Sequence, residues 1–575
     1  MKKTVQNLFK KEWFLICLVV VAVMGCIFQL LRRGFYEPQD LHHLADIYEM
    51  TRAFLSGQFP PRWGPDFLYN FGYPLFNFYY VGPFYLGSLF YLLSGSLRFS
   101  YEAVFEFGVI LGAVSFYLFL RNHFSKIASF CGAILFSYTP YRAVQIYVRG
   151  AMGEFLTVSL MPIFLYFNDR LIKDGRKRWF VFSVLIASFI ILSHNYFWVL
   201  IFGFCGIYYL FVSVFSKKFE IIKNFLLQIF LSIGITTYWW LPAFTEQKLL
   251  QVQTPFPLID HFPFIKQLLI PSWGYGASLW GSLDGMSFQL GIVNIFAVLL
   301  SLVVFAVVKN RRKRKIFLWS VISFSLCLFF MNVRSFFIWR LVPFYNLFQF
   351  PWRLLAFAGF FSSVLAAWAI ENILSNRKLL AKIVASVIVL SSVILTINYF
   401  KPSKIFYKSD TDYLKRMFAD QVTSGDGVSN DYKNYSEDYL LLPKWVSEKP
   451  SSLPENKFES TRGDEILVRS VAQKSAVSWV AEVEVKNRGF LNFYSLYFPG
   501  WTALVDGKMV DITYGDMGQI VINLNPGDSI VEVFWVETPL RKVADMTSLF
   551  FVLILTGVFF WKRDFNETTA KKNKK

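Results

Sequence analysis

Long apolar segments recur along most of the chain, separated by short polar or basic stretches. Each has about the length of a helix that crosses a bilayer, or nearly so. They cover residues 13–31, 101–120, 127–140, 154–170, 179–215, 224–242, 288–308, 316–332, 352–373, 379–399 and 544–561. The segment 179–215 is long enough for two helices, with Ser193, His194 and Asn195 as a polar turn between them. The pattern therefore predicts a polytopic α-helical membrane protein with about 12 spans.

A second pattern occupies residues 400–541, where the long apolar segments are missing. From about Ile466 onward, apolar and polar positions alternate, as they do between Val477 and Val485. This alternation is typical of strands with one buried face. Turn-forming sequences separate the strands at 487–489, 506–508 and 525–528. We therefore predict a β-rich domain at 400–541 with the architecture of a small antiparallel sandwich.

Composition and charge exclude an ordinary soluble protein. Hydrophobic residues make up 55% of the chain and charged residues only 17%, a balance that globular surfaces in water do not have. The 58 Lys and Arg against 39 Asp and Glu give a net charge of +19, but many of the basic residues lie in short runs between apolar segments. Such runs mark cytoplasmic loops and contact anionic lipid. Nucleic acid is therefore not expected as a partner.

The basic runs also predict how the chain is organised across the membrane. They lie at 121–126, 170–178, 217–223, 309–315, 377–378 and 562–575. With these on the inside, both termini are cytoplasmic in a multi-pass plasma-membrane protein, and the stretch 79–93 must not cross the bilayer. The outer loops are then 32–78, 141–153, 243–287 and 332–351. Three parts result: a transmembrane module at 1–399, the extracytoplasmic β-rich domain at 400–541, and a final span with a basic tail at 542–575.

The first outer loop holds a candidate catalytic pair. A helix over residues 40–56 would place Asp40 and His43 three positions apart on one face. A carboxylate beside an imidazole just outside the membrane could remove a proton from an acceptor hydroxyl. Two other interpretations remain open: Asp40 as a helix N-cap, and His43 as a solvated loop histidine.

Further charged and aromatic residues lie at the mouths of spans. Glu154 opens one span and needs a partner there, which Arg149 can supply either as a structural ion pair or as part of a site. Arg353, next to Trp352, could bind a phosphate through its planar fork or simply extend toward the interface within an aromatic belt. His194 at its hairpin turn is either a structural histidine or a ligand.

Several common chemistries have no motif in this chain. The phosphate-binding GxxxxGK[ST] loop is missing, as are HExxH and GxSxG. The four shorter outer loops contain no Asp-x-Asp, and Asp410-Thr411-Asp412 in the connecting region after the spans is interpreted as a solvated stretch. The five cysteines lie in apolar segments without ligand spacing. No cofactor is predicted, and a divalent metal is possible but not indicated.

Several residue strings together resemble a known family. They are Asp40-Leu41-His42-His43, Pro60-Pro61-Arg62-Trp63, Gly72-Tyr73-Pro74-Leu75-Phe76-Asn77-Phe78-Tyr79, Arg149-Gly150-Ala151-Met152-Gly153-Glu154, Leu192-Ser193-His194-Asn195 and Gln349-Phe350-Pro351-Trp352-Arg353. These strings are similar to those of bacterial membrane proteins labelled 6-pyruvoyl-tetrahydropterin synthase-related. The segment 497–508 is similar to the end of YfhO-type proteins. Both groups resemble the GT-C glycosyltransferases, such as oligosaccharyltransferase catalytic subunits and protein O-mannosyltransferases.

The resemblance implies a membrane glycosyltransferase of GT-C type. Its donor would be a polyprenyl-phosphate-linked sugar, and its acceptor a glycan, lipid or protein hydroxyl on the outer face. Asp40 matches the first-loop acid of that family, which acts as general base, and Arg353 matches a basic residue near the donor phosphate. His194, Trp352 and Arg62, together with Arg149 and Glu154, would complete a substrate-binding set, with no metal ligand among them. Alternatives are a flippase or transporter of lipid-linked saccharides and a non-catalytic scaffold for envelope assembly.

Overall fold

The chain folds into a large helical module followed by a β-rich part and a last long helix. The computed structural model describes residues 11–251, 257–281, 284–308, 314–342, 345–418, 440–461 and 465–560. The α-helices are α1 Glu12–Ile27, α2 His43–Leu55, α3 Leu75–Phe78, α4 Gly82–Ser94, α5 Leu97–Arg121, α6 Lys126–Ser137, α7 Pro140–Ala143, α8 Met152–Asp174, α9 Lys177–Ser193, α10 Phe197–Ser216, α11 Glu220–Ile235, α12 Thr237–Glu246, α13 Ile265–Leu269, α14 Ile292–Val307, α15 Arg314–Phe330, α16 Phe336–Trp339, α17 Leu355–Asn376, α18 Lys378–Thr396, α19 Asp410–Met417 and α20 Pro539–Phe560.

Every apolar segment predicted to span the membrane coincides with a helix. Among the described residues, six helices are long and apolar enough to cross a bilayer, and eight segments qualify if α11 with its continuation and α15 with its continuation each count as one bent span. The apolar helices α1, α6 and α14 are shorter. The total of 12 spans stays a prediction, and the basic runs at 309–313 and 562–575 lie outside the described residues.

The helices differ strongly in how much of their surface the protein covers. Nearly every residue of α17 is buried, and α5 and α8 are mostly buried, so these helices form the centre of the module. In contrast, α18 and α20 leave most of their apolar side chains exposed. Exposed apolar faces of this size are what a helix presents to lipid. The segment predicted not to span forms α4, whose 13 residues are fewer than a bilayer requires.

The first outer loop folds differently from the helix predicted over 40–56. The helix α2 begins at His43, its N-cap is His42 without a side-chain hydrogen bond, and Asp40 lies in the turn before it. The expectation that Asp40 and His43 share a helix face is therefore wrong, and Asp40 does not cap α2. The turn is held by hydrogen bonds from the backbone N–H groups of Gln39 and Asp40 to carbonyls of the second outer loop.

In the Asp-x-Asp sequence after the spans, Thr411 and Asp412 are exposed as predicted, whereas Asp410 is bound at a helix end. The Asp410 carboxylate accepts hydrogen bonds from the backbone N–H groups of Leu97 at 2.7 Å and Arg98 at 3.1 Å. These are free N–H groups in the first turn of α5, where a negative charge is also favoured by the helix dipole. Asp412 instead forms a capping box with Ser409 at the start of α19. Both acids thus stabilise helix ends.

The β-rich part consists of two antiparallel sheets. The strands are β1 Phe458–Ser460, β2 Ile466–Ser475, β3 Ser478–Val485, β4 Gly489–Leu496, β5 Trp501–Val505, β6 Lys508–Val510, β7 Ile512–Tyr514, β8 Gln519–Leu524 and β9 Gly527–Trp535. One sheet has the order β1-β4-β8-β7 and the other β2-β3-β9-β5-β6. Phe493 of the first sheet packs against Trp479 and Trp501 of the second. The predicted turns all fall between strands, so the expected sandwich is confirmed.

The first outer loop connects the helical module to the β-rich part. The backbone carbonyl of Phe71 accepts hydrogen bonds from the N–H of Leu496 at 2.8 Å and the hydroxyl of Ser495 at 3.1 Å. The indole of Trp63 packs against those of Trp501 and Trp535, with ring centroids 5.3 and 5.0 Å apart. The loop is therefore held between the two parts of the protein.

Candidate functional site

Two outer loops predicted to carry chemistry lie side by side. The N–H of Gln39 donates to the carbonyl of Val148 at 3.0 Å, and the N–H of Asp40 donates to the carbonyl of Arg149 at 2.7 Å. The second loop contains a π-helix at Val144–Arg149 that ends at Gly150, whose φ of +67° lies in the left-handed region that glycine tolerates. A sharp end to this helix directs Arg149 back toward α8, which begins two residues beyond the glycine.

Glu154, in the first turn of α8, is the centre of a buried polar cluster. One carboxylate oxygen accepts from the Tyr141 hydroxyl at 2.5 Å and from the Gln145 side chain at 2.9 Å. The other oxygen faces the guanidinium of Arg149 at 2.7 Å and that of Arg353 at 3.3 Å. Only 2% of Glu154 is exposed. The predicted pairing with Arg149 is confirmed, and Arg353 joins from a distant part of the chain.

Arg353 is enclosed by the protein rather than directed along the lipid surface. It is 8% exposed, and its guanidinium lies over the rings of Phe350 and Tyr196. Its other polar contacts are long: 3.5 Å to the carbonyl of Phe348 and 3.4 Å to the side-chain oxygen of Gln349. Contacts of that length are weak hydrogen bonds. The N–H groups of Arg353 can therefore exchange these weak hydrogen bonds for stronger ones to a better acceptor.

Trp352 is buried as well and forms a wall of the cluster. Its ring lies beneath the guanidinium of Arg149 at 4.9 Å and stacks on Phe350 and Phe288. Its indole N–H donates to the hydroxyl of Ser278 at 3.1 Å. An aromatic ring under an arginine holds the cation without neutralising it.

The electrostatics of the cluster favour an additional anion. Two guanidinium groups face the single carboxylate of Glu154, so the buried side chains carry one positive charge in excess, and the carboxylate of Asp40 at the edge of the cluster is a further negative charge that acts on both arginines. Burial by itself lowers the pKa of Arg149, but Glu154, Tyr141 and Asp40 together outweigh burial and raise it, so Arg149 remains charged. The excess charge lies where water is largely excluded, and electrostatic attraction is strong in such surroundings.

Asp40 lies next to this cluster and is partly exposed. Within the described part of the chain, its carboxylate makes no hydrogen bond or ion pair. Its negative charge nevertheless acts on the guanidinium groups of Arg149 and Arg353 and on the hydroxyls of Tyr79 and Tyr80. The structure thus brings Asp40, Glu154, Arg149 and Arg353 into one region.

His43 joins the region through a hydrogen-bond chain rather than as an accessible base. Its Nδ1 lies 3.0 Å from the carbonyl of Gly150, and its Nε2 lies 2.8 Å from the hydroxyl of Tyr80. A carbonyl can only accept, so Nδ1 carries the proton and Tyr80 donates to Nε2. Burial, and next the neighbouring His42, lower the pKa of His43 well below its usual value. His43 is therefore neutral and orients Tyr80.

His194 meets the same tyrosine from the other side. Its ring stacks on that of Tyr80 with centroids 5.4 Å apart, and it packs edge-on against Tyr196 at 4.7 Å. Burial lowers the pKa of His194, and the positive charges of Arg353 and Arg149 lower it further. A neutral, stacked histidine at this position fixes the aromatic wall between the two outer loops.

Three side chains in the first outer loop could hold a metal ion. His42, His43 and Asp46 offer ligand atoms that lie within 4.8 Å of one another. Burial lowers the pKa of His42 to about 4 and raises the pKa of Asp46 well above its usual value. Since both ring nitrogens of His43 are already hydrogen-bonded, this group can take a metal only if His43 gives up one of those bonds.

Arg62 is the predicted site residue that the structure places elsewhere. Its guanidinium forms ion pairs with Glu537 at 3.2 Å and Asp545 at 2.8 Å, and donates to the carbonyl of Tyr238 at 2.7 Å. These contacts attach the first outer loop to the start of α20. Arg62 is not in contact with Arg353 or Glu154 among the described residues.

Sequence reasoning missed three residues that complete the site. Tyr80 connects His43 with His194, while Tyr141 and Gln145 bind Glu154. Tyr80 follows the Gly- and Pro-rich stretch that interrupts the apolar pattern, and such interruptions mark packed, non-spanning segments. Gln145 and Tyr141 precede Arg149 by one to two helical turns. The predicted pair of Arg149 and Glu154 therefore indicated where further partners of Glu154 could be found.

Solved structures of three glycosyltransferases align with parts of this chain at low similarity. The Archaeoglobus fulgidus oligosaccharyltransferase in the apo form aligns with a TM-score of 0.45 at 14% identity, over 78% of this chain and 62% of that one. The mycobacterial arabinofuranosyltransferase AftD aligns with a TM-score of 0.46 at 11% identity, over 92% and 57%.

ArnT from Cupriavidus metallidurans, solved bound to undecaprenyl phosphate, aligns with a TM-score of 0.32 at 13% identity, over 63% of this chain and 78% of that one. The chain thus spans only about three fifths of the length of the first two proteins. No curated protein matches the chain.

A family model matches the helical module directly. The model describes the 6-pyruvoyl-tetrahydropterin synthase related domain as a membrane protein, and it matches residues 76–401. The match covers more than half of the 575 residues and includes Glu154, His194 and Arg353. With its apolar helices and this match, the chain belongs to the 6-pyruvoyl-tetrahydropterin synthase related family of membrane proteins.

Proposed function

We propose that this protein is a membrane glycosyltransferase that moves a sugar from a polyprenyl-phosphate-linked donor to a hydroxyl of an extracytoplasmic glycan, lipid or protein. The observation that carries the proposal is the position of Asp40, whose backbone is bonded to Arg149 beside a buried cluster with one excess positive charge. A base and an anion site in one region are the two parts that glycosyl transfer from a phosphate needs. The donor class follows from the resemblance of the loop motifs to GT-C enzymes.

In the proposed reaction, Asp40 accepts the proton of the acceptor hydroxyl as its oxygen attacks the anomeric carbon. The bond between that carbon and the phosphate oxygen breaks, and its electron pair leaves with the polyprenyl phosphate. Attack opposite the leaving group inverts the configuration at the anomeric carbon. The carboxylate of Asp40 suits this role because it is partly exposed and not engaged by any described group.

Arg353 and Arg149 would stabilise the departing phosphate. The planar guanidinium of Arg353 can bind two phosphate oxygens at once, and its present contacts at 3.4 and 3.5 Å are weak enough to be replaced. Glu154 keeps both arginines in place while neutralising only one charge. The negative charge that develops on the leaving group would therefore be stabilised by groups already oriented toward it.

Tyr80, His43 and His194 act as positioning residues in this proposal. The chain from Gly150 through His43 to the Tyr80 hydroxyl fixes that ring between the two outer loops. The stack of Tyr80 on His194 extends the wall toward Tyr196, which contacts Arg353. A rigid aromatic wall next to the charged groups would orient the sugar of the donor.

The proposal includes an orientation in the membrane. Both termini are cytoplasmic, about 12 spans form the module 1–399 together with the final helix, and the β-rich domain 400–541 is extracytoplasmic. The excess of basic residues in the predicted inner loops supports this orientation. The apolar exposed faces of α18 and α20 suit contact with lipid.

The test is release of polyprenyl phosphate by purified protein in lipid nanodiscs, supplied with a panel of polyprenyl-phosphate sugars and envelope acceptors. Asp40→Asn should lower the transfer rate by roughly 10²- to 10⁴-fold, the usual contribution of a general base. The exposed acid Asp511 gives the matched control Asp511→Asn, which should transfer at the normal rate.

Transfer that survives Asp40→Asn would remove the proposed base. A protein that moves the lipid-linked sugar across the bilayer of sealed vesicles without releasing polyprenyl phosphate would be a flippase. A protein that does neither would be a scaffold.

A further inference from the structure

A cavity of about 140 Å³ lies between the first outer loop and the β-rich part. Its lining includes Trp63 and Asn70 of the loop and Gln473, Trp479 and Trp501 of the β-rich part. We call it the tryptophan cavity. It shares no lining residue with the cluster around Glu154 and Arg353. Its volume equals that of about five water molecules, which is in the range of one sugar ring.

Three indole groups give the cavity its aromatic character. Trp63 and Trp501 pack edge to face with centroids 5.3 Å apart, and Trp479 is half-buried. Trp63 packs closely against the backbone of Gly72, because a Cβ at that position would lie only 2.4 Å from the indole nitrogen. The faces of indole rings are electron-rich and attract the weakly positive C–H groups of a sugar ring.

Two polar atoms of lining residues lack partners among the described residues. They are the indole nitrogen of Trp501, a donor, and the side-chain oxygen of Asn70, an acceptor. Trp501 is only 6% exposed. Buried polar groups in folded proteins nearly always find a hydrogen-bond partner, and leaving one without a partner is costly. A hydroxyl group both donates and accepts, so it is a suitable partner for either kind of atom.

The backbone that presents Asn70 is strained. Leu68, Tyr69 and Asn70 all have positive φ, at 53°, 55° and 66°. Leucine and tyrosine rarely adopt this conformation, and runs of it are held only where surrounding structure requires it. Here Lys457 donates to the carbonyl of Asn70 at 2.7 Å while its ammonium lies 5.4 Å from the Trp479 ring centre. The loop and the β-rich part thus fix the turn together.

The charges of the lining point to an uncharged ligand. Asp66, which also lines the cavity, forms an ion pair with Arg52. Gln473 stands directly opposite Trp479 on the neighbouring strand and adds a neutral amide. Lys457 is the remaining cation of the lining; its ammonium donates to the carbonyl of Asn70, and burial lowers its pKa to about 7, which weakens its charge. Paired charges and amides hydrogen-bond to hydroxyl groups, so the lining as a whole favours an uncharged ligand over an acid.

We propose that the tryptophan cavity binds one uncharged sugar residue of a glycan. The indole groups of Trp63, Trp479 and Trp501 provide the stacking surfaces, and Asn70 with Gln473 provides hydrogen bonds to its hydroxyl groups. This binding goes beyond the proposed transfer reaction and does not need it. It gives the β-rich part a role in holding a saccharide chain against the first outer loop.

The experiment measures sugar binding to the full-length protein in nanodiscs by saturation-transfer difference NMR. The probes are uncharged trisaccharides of glucose, mannose and galactose, with trisaccharides of uronic acids for comparison. Trp479→Ala should weaken binding of the uncharged sugar roughly tenfold, as expected for loss of one aromatic stacking surface. Trp280→Ala is the matched control, because Trp280 is 77% exposed and does not line the cavity.

Two further variants keep the test independent of folding and of catalysis. Asn70→Gly removes the side-chain amide but tolerates the positive φ, and it should also weaken binding. Asp40→Asn should bind the sugar normally, so that a failed transfer assay does not decide this question. Absence of saturable binding by the uncharged panel, equal affinity of Trp479→Ala and the unaltered protein, or preference for the uronic acids would each overturn the proposal.

Discussion

Glu154→Gln tests whether the buried cluster is held together by a single charge. The substitution keeps the size and shape of the side chain and removes only the negative charge. Arg149 at 2.7 Å and Arg353 at 3.3 Å would then lose their common counter-ion, and both are buried. The hydrogen bond from Tyr141 can persist, since the amide oxygen still accepts.

The expected cost follows from these contacts. A hydrogen bond to a charged group contributes about 1.5–3 kcal/mol, and breaking a buried ion pair by removing one partner costs about 3–5 kcal/mol because a charge stays buried without compensation. We expect Glu154→Gln to destabilise the protein by about 3–5 kcal/mol on this basis. The double variant Glu154→Gln with Arg353→Gln removes one of the two stranded charges and should recover part of the loss.

The assay is the apparent unfolding temperature in nanodiscs, followed by intrinsic fluorescence at one fixed scan rate, because unfolding of such proteins is generally irreversible. Glu532→Gln is the matched control. Glu532 pairs with Lys474 at 3.1 Å on the β-rich part, where Lys474 is exposed and Glu532 is partly exposed, and surface pairs contribute about 0–1 kcal/mol. If Glu154→Gln unfolds at the same temperature as Glu532→Gln, the cluster is not held by charge.

Three further predictions follow from other contacts. Tyr80→Phe leaves Nε2 of His43 without its hydrogen-bond donor. It should lower the free energy of unfolding by about 1–3 kcal/mol and slow transfer. The control Tyr407→Phe, at an exposed tyrosine, should change neither quantity. In its folded environment His42 has a pKa lowered to about 4 by burial, so the unfolded chain binds its proton first as pH falls below about 6.5. The contribution of His42 to the free energy of unfolding, about 3 kcal/mol, is therefore lost as pH falls from 6.5 to 4. His42→Asn should make the unfolding temperature fall less steeply over this range; an equally steep fall would contradict the lowered pKa of His42. Asp410→Ala removes the cap of α5 and should cost about 1 kcal/mol, seen as faster hydrogen exchange at Leu97 and Arg98; unchanged exchange would show that the cap is redundant.

Local pattern was enough to predict the elements of the fold. The apolar segments coincide with helices, and the alternation after Ile466 coincides with strands whose turns fall where Gly, Asn and Asp cluster. The spacing of apolar residues shows which face of a helix or strand will be buried. This spacing lies within the segment's own sequence, so it can be recognised without knowing the tertiary contacts. The Arg149–Glu154 pair was predictable for the same reason, since five positions separate the two residues and a buried acid needs a nearby cation.

Only the tertiary structure decided which distant residues meet. Arg353 joins Glu154 from another helix, and Arg62, predicted for the same site, pairs instead with Glu537 and Asp545 near the end of the chain. Backbone hydrogen bonds to the second outer loop, which is distant in sequence, likewise hold the turn at Gln39 and Asp40 that precedes the start of α2 at His43. A sequence shows that a buried charge must be compensated, but the packing of the helices determines which opposite charge is within reach.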